Sequence, residues 1–238
     1  MYIHIYITSS FSCKIFYMPK TVLPVHQARS RESLARLLKA AAEILNKEGL
    51  EAATIPRIAA RAGLSPGTVY RRFPDKDALL REVCLRMLEQ NYQATRKLLA
   101  SEQWKRMSLA EMSRTVITTT LKGHHSHRGL LRALHLFTLQ HPDAAFIKKC
   151  EQLEWRTLRD VGQLLLTRRS EIHHPDPESA VKLALLMVGI AAQGIFILPQ
   201  QANAYDRFLP DVEAELQQEL PRMILRYLGS KCEGKDYD

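Results

Sequence analysis

The sequence predicts an all-α fold, and three observations carry that prediction. Apolar residues recur at helical spacing in segment after segment, and beyond residue 97 no run alternates as a strand would. Residues that start and stop helices fall between those segments. The chain of 238 residues is long enough to bury a substantial core.

The elements follow in order. Residues 1–17 are apolar and β-branched, alternate imperfectly, and lack the basic start and small-residue cleavage site of a secretory signal. Met18 opens a polar lead-in and reads as the physiological start, with residues 1–17 expected to be a gene-model artefact; residues 1–28 form an N-terminal arm. Arg29 and Arg31 can serve as a short arm toward a phosphate or minor groove, or lie in solvent. From Arg31 to Glu48, the residues Leu34, Leu37, Leu38, Ala41, Ile44 and Leu45 make one stripe of an amphipathic helix. Thr54 can cap the next helix, whose apolar face is Ile55, Ile58, Ala59 and Ala62. Gly63 supplies a left-handed residue for a sharp turn, and Ser65-Pro66 starts another helix with a hydroxyl cap and a first-turn proline. That helix puts Val69 and Phe73 on one side, and Gly67, Thr68, Tyr70, Arg71 and Arg72 on the other. Hydroxyls, a phenol and guanidiniums on an outward face suit phosphates and base edges. Two short helices, a tight turn and such a face make a helix-turn-helix reader of DNA. Asp75 caps a longer helix through Leu79, Leu80, Val83, Met87 and Leu88.

Beyond it, five helices are predicted: Leu109–Lys122, Arg128–Gln140, Pro142–Thr167, Pro177–Leu198 and Pro210–Leu228, separated at Gly123, His141-Pro142, Pro175-Asp176-Pro177, Pro199 and Pro210. Asp176 caps the fourth, Pro177 takes its first position and Glu178 complements its dipole. Leu183–Leu198 has only Gln193 clearly polar; 16 residues suit a buried helix better than the roughly 20 of a membrane span, so it must be covered on every side. In the last segment Val212, Leu216, Leu220, Ile224 and Leu228 are spaced by four, and Pro221 either kinks that helix or starts a separate one.

The N-terminal layout resembles the DNA-binding domain of the tetracycline-repressor (TetR) family of bacterial transcription regulators. The resemblance rests on Gly49-Leu50, Thr54, Ile58-Ala59, Ala62-Gly63-Leu64-Ser65, Gly67-Thr68-Val69-Tyr70, Phe73, Lys76 and Leu79-Leu80. It implies a helix-turn-helix domain over 29–76 and a helical effector-binding and dimerisation domain over 77–238. It further implies a bacterial, cytoplasmic regulator that binds a palindromic operator as a homodimer through its last two helices and is released by a small apolar effector. In that reading Thr54, Thr68, Tyr70 and Lys76 contact phosphates, Pro66 opens the reading helix, Gly67 permits close approach, and Arg71 reads a base edge. Arg72 contacts either phosphate or base, and Phe73 packs in the core. Candidate effector-pocket residues are Trp104, Met107, Phe137, Trp155 and Met187, each also a ready core residue. Few acidic residues interrupt the apolar segments, which favours a neutral or anionic effector.

Charge agrees with a reader at one end. The net charge is +9, of which +8 falls in residues 1–97 and +1 in residues 98–238. Four dispersed cysteines without a CxxC pair argue for a reducing cytoplasm and against a zinc ribbon. His124, His125 and His127 cluster, but no Asp, Glu or Cys is interleaved to complete a ligand set, so no metal is expected. No HExxH, P-loop, dinucleotide turn, GxSxG or paired Glu-x-x-His occurs, so no enzyme and no cofactor beyond an effector is expected. The rival reading is a nucleoid or division factor on the same scaffold.

Overall fold

In the computed structural model, residues 25–198, 207–209 and 211–229 are described. They form α1 (Val25–Glu48), α2 (Ile55–Ala62), α3 (Pro66–Tyr70), α4 (Lys76–Leu99), α5 (Leu109–Ser126), α6 (Arg128–Gln140), α7 (Ala144–Leu166), α8 (Pro177–Phe196) and α9 (Val212–Tyr227). Short 3-10 turns lie at Glu102–Arg106 and Arg169–Glu171. Among the described residues there is no strand. The arm expected at the N-terminus lies outside the described residues up to residue 24; Arg29 and Arg31 stand on α1, so neither is part of an extended arm.

The helices gather into two compact units. The first comprises residues 25–90 and 127–150, so it is built from two separate stretches of chain. Its core is the stripe read from the sequence: Leu37, Leu38, Ala41, Ile44 and Leu45 of α1 are buried with Ile58 and Ala59 of α2, Val69 of α3, and Leu79 and Leu80 of α4. Gly63 closes α2 with φ 66° and ψ 39°, and the Leu64 amide reaches back to the Ala59 carbonyl at 2.9 Å. A side chain at that φ would be strained, which is why the turn needs glycine.

The helix α6 packs on α1, and its start is capped from a distance. Asn46 Oδ1 accepts from the Leu130 amide at 2.9 Å, so a side chain of α1 fills the role that a residue before α6 usually plays. Gly129 lies so close that an added Cβ would sit 1.9 Å from the Asn46 carbonyl oxygen. At the other end of α6, His141 Nδ1 meets the Asp77 carboxylate at 2.8 Å, and Arg81 pairs with Asp143 at 3.4 Å. Asp143 also caps α7, accepting from the Phe146 amide at 2.9 Å.

The second unit comprises residues 91–126 with 151–198, 207–209 and 211–229. Here α5 packs on α8 and α9, and α8 on α9. The end of α7 is clamped to the approach to α5. Arg168 donates to the carbonyls of Met107 (2.8 Å), Trp104 (3.1 Å) and Lys105 (2.8 Å), and Glu171 accepts from the Leu109 amide at 2.8 Å. Asp176 caps α8 through the Ser179 amide at 3.1 Å, and hydrogen bonds from Ser179 hold its carboxyl below the usual aspartate range.

Three expectations change. Gly123 does not end a helix: α5 runs through it to Ser126, and Gly123 lies buried within it. Pro221 lies inside a continuous α9, where its missing amide costs one hydrogen bond and its buried ring supplies packing. Nor is α8 covered on every side by the described residues. Ala180, Val181, Ala184, Leu185, Val188 and Ala192 are buried, whereas Leu183, Met187 and Ile190 are 44%, 50% and 49% exposed. By length and composition α8 could cross a membrane, but 44% of its most apolar window is already buried inside the protein. Among the described residues nothing covers this stripe.

Candidate nucleic-acid interface

The interface grows from the α2–α3 turn. Thr54 holds the N-cap position of α2 with its backbone, accepting from the Ile58 amide at 2.9 Å. Its side chain makes no cap bond and the residue is exposed, leaving the hydroxyl toward solvent. Ser65 caps α3, its Oγ accepting from the Thr68 amide at 3.3 Å and meeting Thr68 Oγ1 at 3.0 Å. Pro66 fits the first position, where no amide hydrogen is wanted. The helix is shorter than the sequence suggests: it ends at Tyr70, and Arg71 and Arg72 lie in the turn after it.

Gly67 is informative because the fold does not require it. It has no positive φ, and the nearest atom to an added Cβ is Ser65 Oγ at 4.0 Å. An alanine there would even favour the helix by about 1 kcal/mol. The position therefore leaves room for something outside the chain to approach the backbone. Tyr70 beside it is 54% exposed, an unusual placement for a large ring on a helix whose Val69 is fully buried.

The two arginines divide. Arg71 is exposed and bonds back to the helix it follows, donating to Thr68 Oγ1 at 2.9 Å. Arg72 turns the other way. One of its terminal nitrogens reaches the Ser30 carbonyl (2.9 Å), Ser30 Oγ (3.0 Å) and Ser33 Oγ (2.8 Å), all on α1. Lys76 donates to the Leu50 carbonyl at 3.3 Å, holding the turn after α1 while keeping two of its three donors. Phe73 is half-buried. Arg57 and Arg61 bond Glu48, and Arg61 also lies 3.8 Å from Glu43, so both are partly neutralised by α1. Thr54, Pro66, Gly67, Thr68, Tyr70, Arg71, Arg72 and Lys76 thus fall on one contiguous segment, but Arg72 serves the fold first.

In the second unit a cavity of about 760 Å³ opens between α7 and α8. Of the five residues singled out for an effector pocket, only Trp155 lines it. Trp104 is buried and donates its indole N–H to the Leu98 carbonyl at 2.7 Å. Met107 is half-buried, and Met187 lies on the exposed stripe of α8. Phe137 is buried in the first unit, where it stacks on His141 at 5.2 Å. Sequence reasoning missed the cavity's polar wall of Glu151, Glu154, Arg159, Glu178 and Lys182. The three-residue spacing of Glu151 and Glu154 and the four-residue spacing of Glu178 and Lys182 beside apolar stripes were the available signal.

The histidines have separate uses. His124 is buried with Nδ1 donating to the Thr120 carbonyl at 2.9 Å, and His125 pairs with Glu213 at 2.8 Å. Among the described residues, no group of three or more His, Cys, Asp and Glu is placed to hold a metal ion.

Comparison with known proteins bears on the interface directly. Residues 37–83, which contain α2, α3 and the start of α4, match the family model of bacterial regulatory proteins of the tetR family. Among curated proteins nothing matches the chain. Many solved structures share its fold. A TetR-family transcriptional regulator from Streptomyces coelicolor is 23% identical with a TM-score of 0.57, covering 89% of this chain and 98% of its own. A putative TetR-family regulator from Mesorhizobium loti is 21% identical with a TM-score of 0.58, covering 84% and 97%. The regulator FadR from Bacillus subtilis, solved in complex with stearoyl-CoA, is 18% identical with a TM-score of 0.57, covering 79% and 96%. Residues 37–83 thus carry the DNA-binding domain of bacterial regulatory proteins of the tetR family, and the helices of this chain share the fold of TetR-family transcriptional regulators.

Proposed function

We propose that the protein is a repressor that binds a palindromic operator as a homodimer in the bacterial cytoplasm and is released by a small effector. The observation that carries this reading is the outward face of α3 and the turn after it, where Gly67, Thr68, Tyr70 and Arg71 are presented with no fold requirement for the glycine or for an exposed ring. Thr54, Thr68, Tyr70 and Lys76 would set the register on phosphates, Pro66 and Gly67 would let the backbone approach the groove, and Arg71 would read a base edge. Arg72 would position the reader from behind.

Dimerisation is supported by the stripe Leu183, Met187 and Ile190 of α8, together with Met223 and Tyr227 of α9, which are 63% and 39% exposed. Apolar surface of this kind is usually covered by a partner, and a two-fold pair of readers matches a palindrome. An effector is supported by the α7–α8 cavity and by a fold neighbour that holds stearoyl-CoA.

Two substitutions separate reading from folding. Gly67→Ala is expected to keep or raise the thermal midpoint while weakening operator binding at least tenfold in a gel-shift titration. Arg71→Ala should lose discrimination at one half-site position by about 1–3 kcal/mol. Arg72→Ala, by contrast, should lower the thermal midpoint and weaken all DNA sequences evenly. Genome-wide occupancy mapping tests the whole reading: one or a few palindromes are expected, and many dispersed sites would instead indicate a nucleoid or division factor.

A further inference from the structure

We infer that the cavity between α7 and α8 is the effector site and that its ligand is an amphipathic organic cation, an inference that rests on the regulator reading above. The wall is mostly apolar, formed by Trp155, Leu158, Leu166, Val181, Leu185 and Leu186. Such a wall selects a ligand with an apolar body. Its charges decide the sign of the head group. Glu154 is only 5% exposed yet lies on the cavity wall, and Glu151 is one turn before it. A carboxylate held among apolar groups interacts more strongly with an incoming charge than an exposed one does, because water and salt screen it less. Glu154 already has interactions within the chain, but a carboxylate offers two oxygens and about four lone-pair directions.

The basic groups on the wall are weaker opponents. Arg159 is bound to Asp160 through two contacts of 3.0 and 2.8 Å. Its guanidinium also stands 5.0 Å from the centre of the Trp155 ring. That ring is thus already used as a surface for a cation, and it is 60% exposed beside the cavity. Glu178 faces Arg169 at 3.6 Å. Lys182 is exposed on α8, and its long stem can carry the ammonium into water. A cation entering from the open side therefore meets a buried carboxylate and a ring whose other face Arg159 already covers. An anion of the same shape meets Glu151 and Glu154 with only solvated bases to offset them. This reverses the expectation from the sequence, where acidic residues looked too sparse to matter; the fold brings them to one wall.

Tetraphenylphosphonium and tetraphenylborate are nearly equal in shape and opposite in charge, which makes them the discriminating probes. Each is titrated into the full-length protein carrying Trp104→Phe, so that Trp155 is the remaining reporter, with calorimetry on the unmodified chain as a check. Tetraphenylphosphonium is expected to change the emission saturably, with a Kd at least tenfold below that of tetraphenylborate, and to weaken operator binding. Glu154→Gln should cut that preference at least tenfold. Should that variant fail to fold, Lys182→Glu at an exposed position should raise the preference instead. Equal or tighter binding of tetraphenylborate, no saturable change with either ion, or binding without effect on the operator complex would each overturn the inference. Operator binding without any probe is measured alongside. If it is intact while the probes fail, only the ligand assignment falls; if it is absent, the regulator reading falls.

Discussion

Gly129→Ala is expected to destabilise the N-terminal unit by about 1–3 kcal/mol, the usual cost of forcing an extra methyl into a packed contact. The reason is geometric. A Cβ at this position would stand 1.9 Å from the Asn46 carbonyl oxygen and 2.8 Å from its carbonyl carbon. Both are backbone atoms of α1, so no side chain can swing aside, and α1 and α6 must move apart. Separation also pulls the Leu130 amide off Asn46 Oδ1, opening the capped start of α6. Denaturant unfolding followed by circular dichroism measures the effect: the midpoint should fall with an unchanged slope. Asn46→Ala, which removes the cap without a clash, should cost about 0.5–2 kcal/mol, and Asn46→Asp should restore most of it. A Gly129→Ala protein as stable as the parent would mean that the helices are not held this closely in solution.

Met187→Glu combined with Ile190→Glu is expected to convert the proposed dimer into monomers. Both positions are about half exposed in the part of α8 that carries no charge, from Leu183 to Phe196. In a two-fold interface each new carboxylate faces a copy of the same patch, so four charges would be buried together without cations. The fold should survive, because neither side chain contributes to the buried side of α8. Sedimentation velocity would show the loss of the dimer. Operator affinity should fall by about 10²–10⁴, since the second half-site contact is no longer intramolecular. A double variant that sediments as a dimer would remove α8 from the interface.

How much of this was readable in the chain depends on the range of the interaction. Gly63, Ser65-Pro66, Asp75 and Asp176 announce their structures because each acts on backbone groups two to five residues away. Helix-turn-helix, all-α class and family follow from those local marks, and the comparisons agree with them. The bond between Asn46 and Leu130 spans 84 residues, and that between Arg72 and Ser30 spans 42. No periodicity points at such a partner. The same limit applies to the cavity. Helical spacing says that Trp104 and Phe137 turn inward, but not against which helix, and the two end in different units. Gly123 misleads for a related reason: as a stop signal it is local evidence, and burial within α5 overrides it.

The adjacent arginines carry one consequence for how such a regulator can change. Arg72 fastens the reading segment to Ser30 and Ser33, whereas Arg71 bonds only back to Thr68 of the preceding helix among the described residues. Replacing the outer arginine leaves the inner clasp intact, so the surface presented to DNA can vary without loosening the helix behind it. With Arg71 reading a base edge as proposed, a lineage that duplicated this gene could explore new operators one residue at a time at position 71, with the bonds of Arg72 kept. Changes at position 72 offer no such path, since every step there is taken with the reader partly undone.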